Sequence, residues 1–196
     1  MTAKPIAAGR SSFELVDAQR LFAALQLREE TTLLDLACGR GAYALAASTH
    51  IGPQGRILAV DLWEEGIEAL QKEAAARRIQ QIEAYVADVS RQLPFENRSV
   101  DVCLMATVLH DLIQDRTDQP ALKEIQRVLK SGGTLAVVEF KKIDGPPGPP
   151  IAIRLSPDET RKHLQPFGFQ SVRHVDIGPY HYLSLFTQPP AGSTTS

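Results

Sequence analysis

Short apolar runs alternate with longer amphipathic segments along most of this chain, and this alternation limits the fold more than any other feature. Each amphipathic segment carries apolar residues at helical spacing. The pattern predicts strand–helix–strand units, and therefore an α/β fold with a doubly wound, mostly parallel sheet. The expected strands are 32–37, 56–61, 82–88, 100–106 and 134–140, and the expected helices are 13–27, 42–49, 63–78 and 118–129.

The pattern changes after the fifth strand. The stretch GPPGPP at 145–150 predicts a stiff loop and not a domain linker, because the residues after it are too few for a second core. A helix capped by Ser156 is expected next, followed by two strands joined by the turn 178–181, which together indicate a closing antiparallel hairpin. These elements are expected at 157–165, 169–177 and 182–187. The sheet then has about seven strands.

The length of 196 residues is that of one ordinary domain. We expect a single domain over 1–188, with an N-terminal cap helix region at 1–30 and a disordered tail at 189–196. Ser11 or Ser12 is the expected cap of the first helix. Phe13 is a candidate for closing a ligand pocket, with plain core packing as the alternative.

Charge and composition exclude several partners. A net charge of −2 leaves no basic surplus for a phosphate backbone, so we expect no nucleic-acid partner. No run reaches the roughly 18 apolar residues of a membrane span, and the N-terminus lacks an apolar signal core, so a cytoplasmic protein without a span is expected. Neither Cys38 nor Cys103 has a Cys or His at zinc spacing, so no bound metal is expected.

The segment Asp35-Leu-Ala-Cys-Gly-Arg-Gly41 is the strongest candidate site. A strand ends in an acid, and Gly39 and Gly41 then allow a tight turn with close approach of a ligand to the backbone. The string also satisfies the dinucleotide pattern G-x-G-x-x-G/A, and a glycine turn needed only for packing is a further alternative. Asp35 argues against a pyrophosphate and favours a ligand that carries both an ammonium and a carboxylate.

Two more carboxylates follow predicted strands at the same edge of the sheet. Asp61 ends the second strand and can accept hydrogen bonds from ribose hydroxyls; the alternative is a helix cap for the segment starting at Trp63. Asp88 ends the third strand and can accept from an adenine amino group; the alternative is a turn carboxylate before Ser90. Together with Asp35, they would line the crevice in which open α/β sheets bind ligands.

Four segments of this chain resemble the class I methyltransferases of the UbiE/type 11 kind. The segments are LLDLACGRG, LAVDL, LPFENRSVDVCLMATVLHDL and LKEIQRVLKSGGTLAVVEF, and they span about 32–140. The resemblance implies a Rossmann-like sheet with the final hairpin, and S-adenosyl-L-methionine as the cofactor. It also implies the following cofactor-binding residues: Asp35, Ala37, Cys38, Gly39, Gly41, Asp61, Leu62, Asp88, Val89, Ala106 and His110. Ala37 departs from the glycine that the family often has there.

The acceptor side carries weaker signals. Methyl transfer from a sulfonium needs alignment and exclusion of water, and it needs a base only where the acceptor loses a proton. The preferred catalytic candidates are His110, Tyr180 and His181, and further candidates for a base are Asp111, Glu139 and Lys141. For His110 the alternative is a helix-start histidine bonded to backbone, and for the pair Tyr180-His181 it is a plain turn.

These observations favour methyl transfer to a small-molecule acceptor. One alternative is an inactive protein that binds S-adenosylmethionine and acts as a partner or regulator, and a less favoured one is a nicotinamide-dependent oxidoreductase. A homodimer stays an open possibility. A methyltransferase of arsenic is not expected, because a soft metalloid calls for several convergent thiolates and the chain has two cysteines.

Overall fold

A seven-stranded sheet forms the centre of the computed structural model, which describes residues 11–188. The strands are β1 (Thr32–Leu36), β2 (Arg56–Asp61), β3 (Ile82–Val86), β4 (Val100–Ala106), β5 (Leu129–Phe140), β6 (Gln170–Asp176) and β7 (His181–Thr187). The helices are α1 (Ala18–Leu25), α2 (Ala42–Ala47), α3 (Glu64–Ala76), α4 (Leu109–Gln114), α5 (Asp118–Val128) and α6 (Pro157–Leu164). Short 3₁₀ helices cover Phe13–Leu15, Ile151–Ile153 and Gln165–Phe167.

The strand order is β3-β2-β1-β4-β5-β7-β6, and β1 to β5 run parallel. β7 lies between β5 and β6 and is antiparallel to both. The predicted fold, a mostly parallel sheet with a closing hairpin, is therefore confirmed. The order reverses between β1 and β4, so the chain leaves these two strands toward opposite sides and opens a crevice at their carboxyl ends.

Helices cover both faces of the sheet, as the doubly wound fold requires. Leu33 and Ile57 pack on one face with residues of α1, α2 and α3. Leu34 and Leu36 pack on the other face with residues of α4, α5 and α6. Because the central strands are buried on both faces, they appear in the sequence as nearly continuous apolar runs, and an acid within such a run, such as Asp35, stands out.

The first predicted helix is interrupted in the structure. A 3₁₀ turn at Phe13–Leu15 is followed by extended backbone at Val16, and α1 begins only after Asp17. Asp17 caps α1, because its side chain accepts the N–H of Arg20, so the expected cap at Ser11 or Ser12 is wrong for this α-helix. Ser12 is at the cap position of the 3₁₀ turn, and the Ser11 hydroxyl accepts the N–H of Phe13. The backbone N–H of Asp17 instead donates to the carbonyl of Ile177, 2.7 Å away, which ties this segment to the final hairpin.

Several other boundaries differ from the sequence prediction by one or two residues, and two differences are larger. Helix α4 was not predicted, since six residues hold too few periodic positions to show a helical pattern. Strand β5 begins at Leu129 and not at 134, because Leu129 pairs with Val100 across an irregular register and Gly132 continues the strand with a φ of 77°. Strand β3 ends at Val86, before the expected 88.

The C-terminal elements agree with their patterns. Ser156 accepts the N–H of Glu159, and the Glu159 side chain accepts the N–H of Ser156, which forms a complete capping box for α6. The proposed tail at 189–196 and the first ten residues of the proposed N-terminal cap region lie outside the described residues. Within 11–188, the structure contains no helix with the length and apolar character needed to cross a membrane.

Candidate functional site

A cleft opens at the carboxyl ends of β1 and β4, where the strand order reverses. The loop after β1, the start of α2, the end of β4 and the N-terminal segment form its walls. The lining residues are Ser11, Ser12, Asp35, Ala37, Cys38, Gly39, Arg40, Tyr43, Ala106 and Thr107. A more open depression, lined by residues such as Arg98, Lys123 and Gln188, lies at the opposite edge of the sheet, away from the three predicted carboxylates.

Asp35 is the acid that precedes the glycine loop, and the fold buries it against the cleft. Only 1% of its surface is exposed, and its Oδ2 accepts the N–H of Ala44 at 3.0 Å. Burial raises the pKa of Asp35 to about 7, the Ala44 N–H opposes this rise, and the nearby Asp61 adds to it. A cation in the cleft would therefore stabilise the ionised form of Asp35, which burial disfavours in the empty cleft.

Three residues of the loop after β1 have left-handed backbone: φ is 59° at Ala37, 58° at Gly39 and 71° at Gly41. A side chain on Gly41 would collide with Leu70 of α3, so this glycine is needed for packing. A side chain on Gly39 would meet no atom within 4 Å, so this glycine leaves open space at the cleft. The packing interpretation therefore fits Gly41, and Gly39 keeps room for a ligand.

Asp61 ends β2 beside this loop. Its Oδ2 accepts the N–H of Gly39 at 2.7 Å, and its Oδ1 accepts the N–H of Trp63 at 2.8 Å. The carboxylate therefore fixes both the glycine loop and the chain that enters α3. Each oxygen keeps a second lone pair, so these bonds leave Asp61 able to accept ligand hydroxyls. Leu62, the next residue, is 40% exposed.

Asp88 makes the contacts of a turn carboxylate. Its Oδ1 accepts both the backbone N–H and the hydroxyl of Ser90, at 2.9 and 2.6 Å, and its Oδ2 lies 3.3 Å from Arg91. Burial raises the pKa of Asp88, but the Ser90 hydrogen bonds and Arg91 outweigh it, so the net shift is downward. The neighbouring Val89 is buried in the core.

The N-terminal segment lies along one side of the cleft through Ser11 and Ser12, next to Phe13, the residue that the sequence offered for closing a pocket. The Ser12 hydroxyl lies 2.9 Å from the Tyr43 hydroxyl and 3.1 Å from the Thr107 hydroxyl, so it links α2 to the end of β4. The ring of Phe13 packs edge-on against Tyr43, with centroids 5.0 Å apart. Thr107 has a φ of 54°, which is unusual for a β-branched residue and is typical of functional sites.

His110 pairs with Glu139 at the carboxyl ends of β4 and β5. The Nδ1 of His110 lies 2.8 and 3.0 Å from the two carboxylate oxygens, and its backbone N–H donates to the same carboxylate at 3.2 Å. His110 is 4% exposed and Glu139 is fully buried. The structure thus joins two of the candidate bases, whose pairing is invisible in a sequence that separates them by 29 residues.

Arg154 organises the proline-rich loop. Its guanidinium donates five hydrogen bonds of 2.8–3.1 Å, and every acceptor is a backbone carbonyl. The acceptors are Lys141, Ile143, Gly145, Pro147 and Pro149. The guanidinium also lies 5.6 Å from the centre of the Phe140 ring. All five donors of a buried arginine are thereby satisfied, so the loop is ordered around a side chain that no sequence pattern indicated.

Tyr180 and His181 have different surroundings. Tyr180 is partly buried in the turn, whereas His181 is fully buried and packs on the Phe140 ring with centroids 4.2 Å apart. Neither ring nitrogen of His181 has a hydrogen-bond partner among the described residues. Burial lowers the pKa of His181 to about 4; the nearby Leu15 carbonyl opposes this, and the positive charges of Arg154 and Lys141 lower the pKa further.

The structure places five of the predicted cofactor residues together in the cleft: Asp35, Ala37, Cys38, Gly39 and Ala106. The other predicted site residues lie outside that lining: Gly41, Asp61, Leu62, Asp88, Val89, His110, Tyr180 and His181. Asp61 and Gly41 still shape the cleft through the loop. Two of the acceptor-side candidates lie instead around Phe140, whose ring is 4.2 Å from that of His181 and 6.3 Å from that of His110.

Comparisons with known proteins agree with this geometry. A demethylmenaquinone methyltransferase from Staphylococcus aureus is 30% identical over 121 residues, which are 62% of this chain and 48% of that protein. The chain therefore spans about half the length of the curated relatives it matches. A crystal structure of a SAM-dependent methyltransferase from Aquifex aeolicus superposes with a TM-score of 0.82 at 25% identity and covers 94% of each chain.

The N-methyltransferase NodS from Bradyrhizobium japonicum, solved with S-adenosylhomocysteine, has the same fold with a TM-score of 0.71 at 17% identity, covering 96% of this chain and 93% of NodS. The family described as methyltransferase domain matches residues 33–133, which is more than half of the chain. The resemblance to class I methyltransferases is confirmed, and with it S-adenosylmethionine as the cofactor of the family. This chain belongs to the methyltransferase domain family.

Proposed function

We propose that this protein transfers the methyl group of S-adenosylmethionine to a small organic acceptor. The observation that carries the proposal is the pair of buried carboxylates at the glycine loop. Asp35 is enclosed beside the cleft, and Asp61 holds Gly39, whose missing side chain leaves the cleft open. A zwitterionic amino-acid end and a ribose are chemically matched to these groups.

S-adenosylmethionine supplies a methyl group on a positively charged sulfur, and the residues of this chain bind it and exclude water. Asp35 attracts the ammonium, and Asp61 accepts ribose hydroxyls with its free lone pairs. Asp88 is assigned to the adenine amino group, although its lone pairs are partly used by Ser90. Ala106 lines the cleft at the end of β4, on the side where the acceptor meets the donor.

The acceptor site is assigned to the region between α4, the loop after β5 and the turn at Tyr180. Arg154 fixes this loop through five carbonyls, so it can form a wall without losing conformational freedom on binding. Phe140 and Tyr180 offer aromatic surface, which suits a small, partly apolar molecule. The name of the S. aureus relative denotes a demethylmenaquinone, a small-molecule acceptor, and supports the same class.

Calorimetry with three ligands tests the proposal. S-adenosylmethionine and S-adenosylhomocysteine should bind in the micromolar range, and NAD should not bind. Binding of NAD alone would support an oxidoreductase. Binding of S-adenosylmethionine without release of S-adenosylhomocysteine, across a panel of small acceptors, would support an inactive binding protein.

The variant Asp61→Ala sharpens this test. It should weaken binding of S-adenosylmethionine by about 1.5–3 kcal/mol, the range for hydrogen bonds to a charged group. Asp101→Ala is the matched control, because Asp101 also accepts a backbone N–H, that of Thr32. Asp101 lies near the start of β4, at the edge of the sheet opposite to the cleft, whereas Asp61 is the last residue of β2. An unchanged dissociation constant for Asp61→Ala would limit this residue to a structural role.

A further inference from the structure

We infer that Glu139 positions His110 as the proton acceptor of the reaction, and that the methyl acceptor is therefore a molecule whose reacting atom carries a proton. This inference rests on the proposed function. It assigns a role to a residue outside the lining of the cleft, and it limits the acceptor to compounds whose reacting atom carries a proton, namely hydroxyl, thiol, N–H or activated C–H compounds. Acceptors whose reacting atom has no proton, such as a thioether or a tertiary amine, need no such pair.

The contacts of Glu139 are those of a positioning residue. The carboxylate accepts from the backbone N–H of His110 at 3.2 Å and from its own neighbour, the N–H of Phe140, at 3.3 Å. Both of its oxygens face Nδ1 of the His110 ring. A buried carboxylate at Nδ1 fixes the ring and selects the tautomer with the proton on Nδ1, which leaves the lone pair on Nε2.

The free nitrogen of His110 has a route to solvent. Nε2 lies 3.5 Å from Oδ1 of Asp111, whose side chain is 46% exposed. A proton taken by Nε2 can therefore move to water beside Asp111, while Nδ1 stays on Glu139. His110 follows Ala106 and Thr107 on the chain by only a few residues, and those two residues line the cofactor cleft. The pair thus lies next to the place where the methyl donor is expected.

The charges around the His110 ring come from three elements. Burial lowers the pKa of His110, but the hydrogen bond and the charge of Glu139 on β5, together with Asp111 on α4, outweigh burial and raise it. Arg154, which follows the 3₁₀ helix Ile151–Ile153, opposes the rise. A histidine with a raised pKa is a stronger base, and it retains the captured proton until the proton reaches solvent.

The proposed step conserves atoms and charge. A lone pair of the acceptor atom forms the bond to the methyl carbon, the carbon–sulfur bond breaks, and its electron pair stays on sulfur. The proton lost by the acceptor atom goes to Nε2 of His110. The methylated acceptor and S-adenosylhomocysteine then leave without the positive charge of the sulfonium. His110 becomes neutral again when its proton passes to water.

A purely structural role for Glu139, as an anchor between α4 and β5, predicts different results. The variant Glu139→Gln keeps an oxygen that can accept from His110 but removes the charge. We expect NMR titration of the His110 ring, in protein without any ligand, to show a lower pKa in this variant. Glu139→Asp keeps the charge, so the His110 pKa should stay close to its wild-type value. This second variant keeps the test available if Glu139→Gln fails to fold. Glu124→Gln is the matched control, because Glu124 is also buried and accepts a backbone N–H.

Turnover is then followed as release of S-adenosylhomocysteine with thiophenol, 4-nitrophenol and aniline as proton-bearing probes, and with dimethyl sulfide and pyridine as proton-free probes. We expect methylation of at least one probe of the first group and none of the second. In Glu139→Gln, kcat should fall at least about tenfold and the acidic limb of its pH profile should move to lower pH. KM and the affinity for S-adenosylmethionine should change little.

Three outcomes would overturn the inference: an unchanged His110 pKa in Glu139→Gln, an unshifted pH profile, or methylation of the proton-free probes at comparable rates. If no probe is methylated, the NMR titration alone decides whether Glu139 controls His110. Loss of S-adenosylmethionine binding in the wild-type protein would instead contradict the proposed function, so the two failures are distinguishable.

Discussion

The two halves of the sheet's carboxyl edge differ in how far their polar groups are hydrogen-bonded within the protein. The donor half, at the ends of β1 and β2, keeps carboxylate capacity for a ligand: one oxygen of Asp35 has a protein donor, and each oxygen of Asp61 has one. In the acceptor half, at the ends of β4 and β5 and the start of the antiparallel β7, the main polar groups satisfy one another. Arg154 uses all five donors on carbonyls, and His110 is held by Glu139.

This difference shows which part of such a site binds by charge and which part by shape. A donor half whose buried carboxylates have few protein donors is costly to fold and attracts a cation. An acceptor half with saturated polar groups forms rigid walls, and it presents to the acceptor an aromatic surface and one nitrogen of His110. Variants in the two halves should therefore affect different quantities: binding of the methyl donor in the first, and stability or proton transfer in the second.

The largest effect is expected for Arg154→Met. The variant keeps the apolar stem but removes five hydrogen bonds, so that several carbonyls of the loop lose a charged donor and the contact with Phe140 is lost. Unfolding in urea should show a loss of about 3–5 kcal/mol, because several buried carbonyls lose their donor and each such loss costs about 1–3 kcal/mol. Arg161→Met, an exposed arginine paired with Asp158, should change stability by less than about 0.5 kcal/mol.

An effect of Arg154→Met as small as that of the control would mean that prolines alone order the loop. In that case the acceptor half would not depend on its saturated polar groups, and its contrast with the donor half would disappear. Hydrogen exchange of the amides at 141–148 offers a second measurement, because loss of the guanidinium should deprotect that segment while β1 and β2 stay protected.

The same contrast explains what the sequence revealed. The donor half could be predicted because its groups are local: Asp35, Gly39 and Asp61 each lie at a strand end or in the turn that follows it. The partners in the acceptor half are distant on the chain, and nothing near Arg154 indicates that five carbonyls will surround it. The interrupted first helix was missed for a related reason, since the hydrogen bond from Asp17 to Ile177 is a tertiary contact.

His181 is the exception within the acceptor half, because its ring nitrogens have no hydrogen-bond partner among the described residues. Its pKa is about 4 in the folded protein, mainly because of burial, against an ordinary value of 6.5. Between these values the unfolded chain binds a proton that the folded chain does not, so stability should fall as pH drops from 6.5 to 4. The loss from this group should be about 2–3 kcal/mol at pH 4.

The variant His181→Phe should remove that part of the acid sensitivity. Thermal unfolding at several pH values between 4 and 7 measures it, with His174→Gln on the exposed face of β6 as the control. Equal pH slopes for wild type and His181→Phe would show that the ring does find a donor or acceptor in solution. If turnover also falls in His181→Phe while stability rises, His181 contacts the acceptor directly, as the sequence suggested.

Asp35 tests the donor half in the opposite direction. Its pKa of about 7 lies above the ordinary 3.8, so stability should fall as pH rises through this window and the full cost should be present above pH 7. Asp35→Asn should therefore stabilise the protein by roughly 2 kcal/mol at pH 8, less than the full shift would give because the amide needs partners of its own. It should not stabilise the protein at pH 3.5.

The gain in Asp35→Asn should come with a loss of affinity for S-adenosylmethionine, measured by calorimetry at pH 8. Asp101→Asn, at the other end of the sheet, should show neither effect. A variant that is more stable and still binds normally would show that Asp35 serves the loop alone. The claim that the donor half holds its carboxylates for a ligand would then rest on Asp61.

The smallest effect is expected for Ala37→Gly, in the loop that follows β1 in the donor half. Ala37 has a φ of 59°, nearly the same as the 58° of Gly39. A residue with a side chain loses about 1–2 kcal/mol of stability in left-handed backbone, and glycine avoids this loss. Glycine also has more conformational freedom in the unfolded chain, which offsets about 0.5–1 kcal/mol of the gain. The net gain should be about 0.5–1 kcal/mol in urea unfolding, with little change in the affinity for S-adenosylmethionine.

The reciprocal variant Gly39→Ala is the matched control, since it places a side chain at nearly the same backbone angle with no atom within 4 Å, and it should destabilise the protein by a similar amount. If Gly39→Ala leaves stability nearly unchanged but abolishes binding of S-adenosylmethionine, the open space at Gly39 is occupied by the ligand and not merely tolerated by the turn.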